Sequence, residues 1–148
     1  RRDQDADARG VVDMLARHGL TLEHVDLWVG DRPHGGDRFG GMKSIHRFQK
    51  SLARTQGVDV SKEGWKSKLP RPLQNMLQPR KYDGSVYDNC DELHRLMVGA
   101  HPRLMVHPRC AHLIDNIEKW EGGKLDPAKD GIDAWRYGAI PLLKGQTS

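Results

Sequence analysis

Apolar residues recur at helical spacing in five stretches of the chain. The first stretch predicts a helix from Asp7 to His18, and Gly19 follows where a helix C-cap is expected. The second predicts a helix over 42–54, with apolar residues on one stripe and basic residues elsewhere on its surface. The remaining stretches predict helices over 85–98 and 110–120, and a last helix that starts near Asp126 and Pro127.

Two short apolar runs between these helices are typical of buried strands. They are Val25–Val29 (VDLWV) and Arg103–His107 (RLMVH). The alternation of helices and strands predicts an α/β layer fold, and 148 residues suit a single domain spanning 1–148. Five glycines in GDRPHGGDRFGG predict a loop over 30–41 at the carboxyl end of the first strand, a place that active sites favour.

Charge favours a polyanionic partner. The chain has 24 Lys and Arg against 20 Asp and Glu, which gives a net charge of +4. No apolar run is long enough to span a membrane, and two cysteines are too few for a disulfide framework, which favours a reducing compartment. Basic residues are frequent over 43–81, where a solvated surface is the alternative to phosphate binding. The candidate DNA contacts are Lys43, Arg47, Lys50, Arg80 and Lys81.

Three aspartates are candidates for metal chemistry. Asp31 follows the first predicted strand, Asp130 opens the last helix, and Asp133 shares the helical face of Asp130. Mg²⁺ prefers carboxylate oxygens, and two such ions can activate a water and stabilise a leaving oxygen in phosphodiester cleavage. The structural alternatives are a turn at Asp31, a helix-dipole partner at Asp130, and at Asp133 an ion pair with Arg136 or Lys129.

A zinc site is a weaker candidate. Cys90 and His94 are four residues apart, and a second group lies near the predicted second strand: His107, Cys110 and His112. Their spacing matches no recurrent zinc module. His34 and His46 are further candidates for proton transfer, since both lie near Asp31 in the sequence.

Several segments of the chain, taken in their order along the sequence, resemble the nuclease domain of the phage terminase large subunit. The most specific are VGDRPHGG after the first strand and KDGIDAWRYG at the last helix. The resemblance implies an RNase H-like mixed sheet flanked by helices, which uses Mg²⁺ or Mn²⁺ to cut concatemeric double-stranded DNA during packaging. It implies that Asp31 and Asp130 bind the metal with Asp133 beside them. It also implies the small terminase subunit and the portal as partners, in the cytoplasm of a bacterial host.

One departure from this family changes the expected activity. The family's first acidic ligand belongs on an early strand, which would precede Arg1. We therefore expect the early strands to be missing and the 148 residues alone to be inactive or nearly so. Two alternatives remain: another RNase H-like nuclease of the resolvase or transposase type, and a non-catalytic module that binds DNA or the capsid.

Overall fold

The computed structural model describes residues 3–30, 41–78 and 84–145, without the side chains of residues 41–43. The chain divides into two compact units, Arg1–Gln78 and Pro79–Thr147. In the first unit the helices are α1 (Gln4–Arg17), α2 (Gly41–Thr55) and α3 (Arg71–Gln74), with 3₁₀ turns at Leu22–His24 and Trp65–Lys68. In the second unit they are α4 (Ser85–Met97), α5 (Ala111–Lys119) and α6 (Lys129–Leu143).

The first unit is built on the packing of α1 against α2. Its buried core comprises Ala8, Leu15, Leu22, Leu52, Ala53, Leu69 and Leu73. Asp3 caps α1, since its Oδ1 accepts hydrogen bonds from the backbone N–H groups of Asp5 at 3.0 Å and Ala6 at 3.2 Å. Asp5 in turn accepts from Ser51 at 2.5 Å and from Arg54 at 3.3 Å. These polar contacts fix α1 against α2 beside the apolar core.

A buried glutamine ties α2 to the short helix α3. Gln49 is buried, and its amide nitrogen donates to the backbone oxygens of Leu73 at 2.8 Å and Gln74 at 3.3 Å. Burying an amide costs free energy unless it is hydrogen-bonded, and here both bonds go to a helix end whose carbonyl groups lack helical partners. Gln49 therefore links α2 to α3, and it supplies hydrogen-bond donors to two backbone carbonyl groups at the end of α3.

The second unit packs α4 and α5 against α6. Its buried apolar residues include Leu93 of α4 and Ile132 and Ile140 of α6. The spacing of these last two residues by eight places them on one stripe of α6, as an amphipathic helix requires. The stripe turns toward α4 and α5, and it leaves the other face of α6 toward solvent.

The predicted α/β fold is wrong. Within the residues that the structure describes there is no β-strand and no sheet, so an RNase H-like mixed sheet is not present there. The segment Val25–Val29 makes a single parallel bridge, Val29 with Leu77, closed by hydrogen bonds from Gly30 to Leu77 and from Leu77 to Trp28. Val25 and Trp28 pack against the helical core instead. A short apolar run is equally suited to covering helices, which is why its pattern was misleading.

The second predicted strand, Arg103–His107, is also wrong. The backbone N–H groups of Arg103 and Leu104 both donate to the carbonyl oxygen of Leu96, at 2.8 and 3.0 Å. The segment therefore satisfies a carbonyl group at the carboxyl end of α4, where helical partners run out. Met105 is 78% exposed, so the run is not a buried strand.

All five predicted helices are confirmed, with ends that shift by a few residues. Ser85 is the first residue of α4, and the cap is Gly84 at φ 82°. A left-handed φ suits glycine because it has no Cβ to clash. Residues 31–40 of the predicted glycine-rich loop lie outside the described residues. None of the described helices is long and apolar enough to cross a membrane. The assignment of 1–148 to one domain stays a prediction.

Candidate functional site

The motif KDGIDAWRYG forms nearly the first three turns of α6. Asp126 starts the helix: its Oδ1 accepts from the backbone N–H of Ala128 at 2.9 Å, and its carbonyl oxygen accepts from Lys129 at 3.0 Å. This carboxylate is thus used to begin the helix, in the manner of an aspartate turn. The functional candidates of the motif follow it, on the helix itself.

Gly131 is the point of closest approach between α5 and α6. A Cβ added at this position would lie 2.1 Å from Oδ1 and 2.8 Å from Cγ of Asn116. Asn116 is buried at 6% exposure and cannot simply move into solvent. Packing therefore favours the glycine of the motif, since a Cβ at this position would require the Asn116 side chain or one of the two helices to shift.

Asp133 is held in an ion-pair network along α6. Lys129 donates to its Oδ2, and Arg136 donates to its Oδ1 from Nε at 3.0 Å. Nη2 of Arg136 also lies 3.0 Å from Oδ1 and forms an ion pair with it. Burial alone would raise the pKa of Asp133, but the hydrogen bonds and charges of Lys129 and Arg136 outweigh it and lower the pKa below its ordinary value. The carboxylate is thus ionised and bound on both oxygens.

Arg136 is the most buried charged residue of this network, at 3% exposure. Besides Asp133 it bonds to the hydroxyl oxygen of Tyr137 at 3.1 Å, and its guanidinium carbon lies 4.4 Å from the centre of that ring. A buried guanidinium needs such partners, because an unpaired buried charge is strongly destabilising. Four residues of the motif therefore act together in supporting α6: Lys129, Asp133, Arg136 and Tyr137.

Asp130 differs from its neighbours in the motif. It lies in the first turn of α6, its side chain is exposed, and among the described residues it makes no hydrogen bond or ion pair. A carboxylate in the first turn of a helix also interacts favourably with the helix dipole. Asp130 is thus an accessible carboxylate on a helix that its neighbours hold rigid.

The other predicted site residues fall in different places. Asp31, Arg80 and Lys81 lie outside the described residues, and Lys43 is described only by its backbone in α2. Arg47 and Lys50 line a cleft of about 560 Å³ on the first unit, together with Asp3, Gln4, Asp5, Ser51 and Arg54. The structure thus places Asp130 and Asp133 on one helix and Arg47 and Lys50 on another.

The zinc candidates do not assemble. His107 accepts a hydrogen bond at Nδ1 from the backbone N–H of Arg109, and burial raises the pKa of the half-buried Cys90 thiol. A raised pKa disfavours the thiolate that binds zinc. Over 3–30, 41–78 and 84–145, no three His, Cys, Asp or Glu side chains are grouped so as to hold a metal ion.

Two residues of interest were not predicted as site residues. Arg136 was considered only as an ion-pair partner of Asp133, although it lies midway between Ile132 and Ile140 on the apolar stripe of α6, where a charged residue must be paired. Trp65 packs against the core of the first unit, with His46 and Lys50 beside its ring. No periodic pattern marks it, because it lies in a 3₁₀ turn of four residues.

Comparisons with protein-family models, with curated proteins and with solved structures found no match for this chain. Membership of the terminase family therefore stays a prediction that rests on the motifs of the sequence. What the geometry adds is a division within KDGIDAWRYG, between residues that support the helix and one exposed carboxylate.

Proposed function

We propose that the chain is part of a metal-dependent endonuclease of the terminase large subunit type, which cuts concatemeric double-stranded DNA during genome packaging. The observation that carries the proposal is Asp130, an exposed carboxylate without a described partner in the motif that most resembles this family. The proposal no longer includes an RNase H-like sheet. It rests on the motif and on the chemistry available to its carboxylate.

Asp130 is the proposed metal ligand on α6. Asp31, which lies outside the described residues, is the other acidic candidate that the resemblance implies. Mg²⁺ and Mn²⁺ prefer carboxylate oxygens held on rigid elements, and such a metal activates water and neutralises charge in phosphodiester hydrolysis. Asp133 is three residues from Asp130, but both of its oxygens are bonded to Lys129 and Arg136. Its proposed role is to hold the first turns of α6, and so to fix the backbone that carries Asp130.

The DNA contacts in this proposal are electrostatic. Arg47 is exposed on α2 and Lys50 is half-buried beside it, and the proposal assigns them to backbone phosphates with Lys43, Arg80 and Lys81. Contacts of this kind carry no sequence information, which suits an enzyme that acts along a whole genome. The small terminase subunit and the portal are the protein partners that the resemblance implies.

The test is DNA cutting by the product of the complete reading frame that contains this chain. Linear double-stranded DNA is incubated with Mn²⁺, with Asp130→Asn and Asp31→Ala compared against the unchanged protein. We expect both substitutions to abolish cutting, and EDTA to abolish it in the unchanged protein. Asp91→Asn, which neutralises an exposed carboxylate on α4, is the matched control. Full cutting by both Asp130→Asn and Asp31→Ala would exclude the proposal.

A non-catalytic module that binds DNA or the capsid is the second candidate. The observation that favours it is the commitment of Asp133 to two ion pairs, which leaves Asp130 without a second free carboxylate on α6. Such a module would bind DNA equally well in EDTA and would not cut it in any metal. The same incubation distinguishes the two candidates, because only the endonuclease produces shortened DNA.

A further inference from the structure

A half-buried tryptophan in the first unit lies among cationic side chains. Trp65 packs against the core, and the ring of His46 lies 5.4 Å from it, centre to centre, with the planes at 61°. The ammonium nitrogen of Lys50 lies 5.9 Å from the centre of the indole. Lys66 is the next residue of the same 3₁₀ turn and is exposed. These four residues are called the Trp65 surface below.

The cations of the Trp65 surface are not neutralised by carboxylates. Partial desolvation, followed by the charges of Lys50 and Lys66, lowers the pKa of His46. Among the described residues, neither lysine forms an ion pair, whereas the nearby Arg54 is paired with Asp5. Like charges held close together repel each other, and a polyanion bound between them relieves that repulsion.

Arg47 extends this positive potential along α2. It is exposed and lies three residues before Lys50, so the two share a face of the helix. Neither carboxylate of the adjoining cleft is paired with these cations, since Asp3 caps α1 and Asp5 is bonded to Ser51 and Arg54. The surface therefore combines uncompensated cations with one anchored aromatic ring.

We propose that the Trp65 surface binds a single strand of nucleic acid, with Lys50 and Lys66 on phosphates and the indole against a base. An aromatic side chain set among cations is the arrangement by which proteins bind unpaired strands without sequence preference. An acidic peptide would satisfy the charges but would leave the ring without a stacking partner. The proposal goes beyond the endonuclease, since it requires neither a metal nor Asp130.

The experiment measures fluorescence anisotropy of a short labelled deoxyoligonucleotide with the full chain, in EDTA. The double variant Lys50→Gln/Lys66→Gln is expected to bind about tenfold more weakly. Its slope of log affinity against log salt should fall by about 1.4, because each lost contact to a single strand contributes about 0.7. Trp65→Leu is expected to weaken binding of the single strand about tenfold, and Trp65→Phe to restore most of it.

The matched control is Lys62→Gln/Lys68→Gln, which removes the same charge from exposed lysines near the same turn. The affinity of this control should change less than about threefold, because the two lysines that it removes would interact with the strand only at a distance, where salt screens the interaction. Circular dichroism confirms that each variant is folded, and if Trp65→Leu does not fold, the lysine pair and its control decide alone. The proposal is overturned by any of four results: no binding of the strand, an equal loss in the control, equal binding of polyglutamate, or a loss of duplex binding in Trp65→Leu as large as its loss of single-strand binding. Because EDTA removes metal, these results are separate from those of the cutting assay.

Discussion

The charged residues of α2 and α6 are used in different ways. On α6, Lys129, Asp133 and Arg136 neutralise one another, and Arg136 is almost completely buried. On α2, Arg47 and Lys50 have no described carboxylate partner. Buried charges must be paired to be tolerated, whereas unpaired charges at a surface remain available to a ligand. The comparison indicates that α6 uses its charges for stability and that those of α2 remain available to a ligand.

Removal of the buried guanidinium is expected to have the largest effect on stability. Arg136→Ala should lower the free energy of unfolding by about 3 kcal/mol, because it leaves Asp133 with only Lys129 as partner and opens a gap beside Tyr137. Urea unfolding followed by circular dichroism measures the change. Arg95→Ala, at an exposed arginine of α4, should stay within about 0.5 kcal/mol. Equal effects of the two substitutions would contradict the stabilising role of the α6 network.

A methyl group at the contact of α5 and α6 is expected to have the next largest effect. Gly131→Ala should destabilise the protein by about 2 kcal/mol, since its Cβ would overlap Asn116. Gly138→Ala in the same helix is the matched control: nothing lies within 4 Å of its added Cβ, and alanine should stabilise the helix by about 0.5 kcal/mol. A double variant with Asn116→Ala should recover part of the loss. Equal effects of Gly131→Ala and Gly138→Ala would contradict the close contact of Gly131 with Asn116.

Acid should weaken the α6 network. Because the pKa of Asp133 is lowered in the folded protein, its contribution to stability is complete above the ordinary carboxylate pKa of about 3.9 and is lost as the pH falls through the lower, folded value. Unfolding measured from pH 5 downward in the unchanged protein and in Asp133→Asn tests this. The variant should lose less stability on acidification. A parallel decline in both proteins would contradict the assignment.

The smallest expected effect on stability is at α2. Arg47→Gln should change the free energy of unfolding by less than about 0.5 kcal/mol, because the side chain is exposed and has no described partner. The same substitution should weaken DNA binding and lower its salt dependence. Urea unfolding and anisotropy on one preparation measure both. A marked loss of stability with unchanged DNA binding would show that Arg47 of α2 has a stabilising role like that of the charged residues of α6.

The helices were predictable and the tertiary arrangement was not. Amphipathic spacing is a local property, and it correctly predicted all five long helices. Val25–Val29 and Arg103–His107 were mistaken for strands because a short apolar run has the same composition whether it pairs in a sheet or covers a helix end. The backbone partner decides between these outcomes. For the first segment the partner is Leu77, which is far along the chain, and for the second it is Leu96 of the preceding helix α4.

The candidate site was predictable only in part. The ion pairs of Asp133 with Arg136 and Lys129 were considered from spacing alone, and both are present. The need for glycine at position 131 depends on Asn116 of another helix, and the grouping of His46, Lys50 and Lys66 around Trp65 depends on how the 3₁₀ turn packs. Such contacts between elements leave no periodic trace in a single sequence.

The proposed roles of Asp130 and Asp133 in KDGIDAWRYG differ, since the first would bind metal and the second would support the helix. Manganese titration of the complete reading-frame product, with free Mn²⁺ followed by electron paramagnetic resonance, separates the two roles. We expect Asp130→Asn to lose Mn²⁺ binding at unchanged stability, whereas Asp133→Asn loses stability but keeps binding in its folded fraction. Normal Mn²⁺ binding by a folded Asp130→Asn would contradict the proposed role of Asp130.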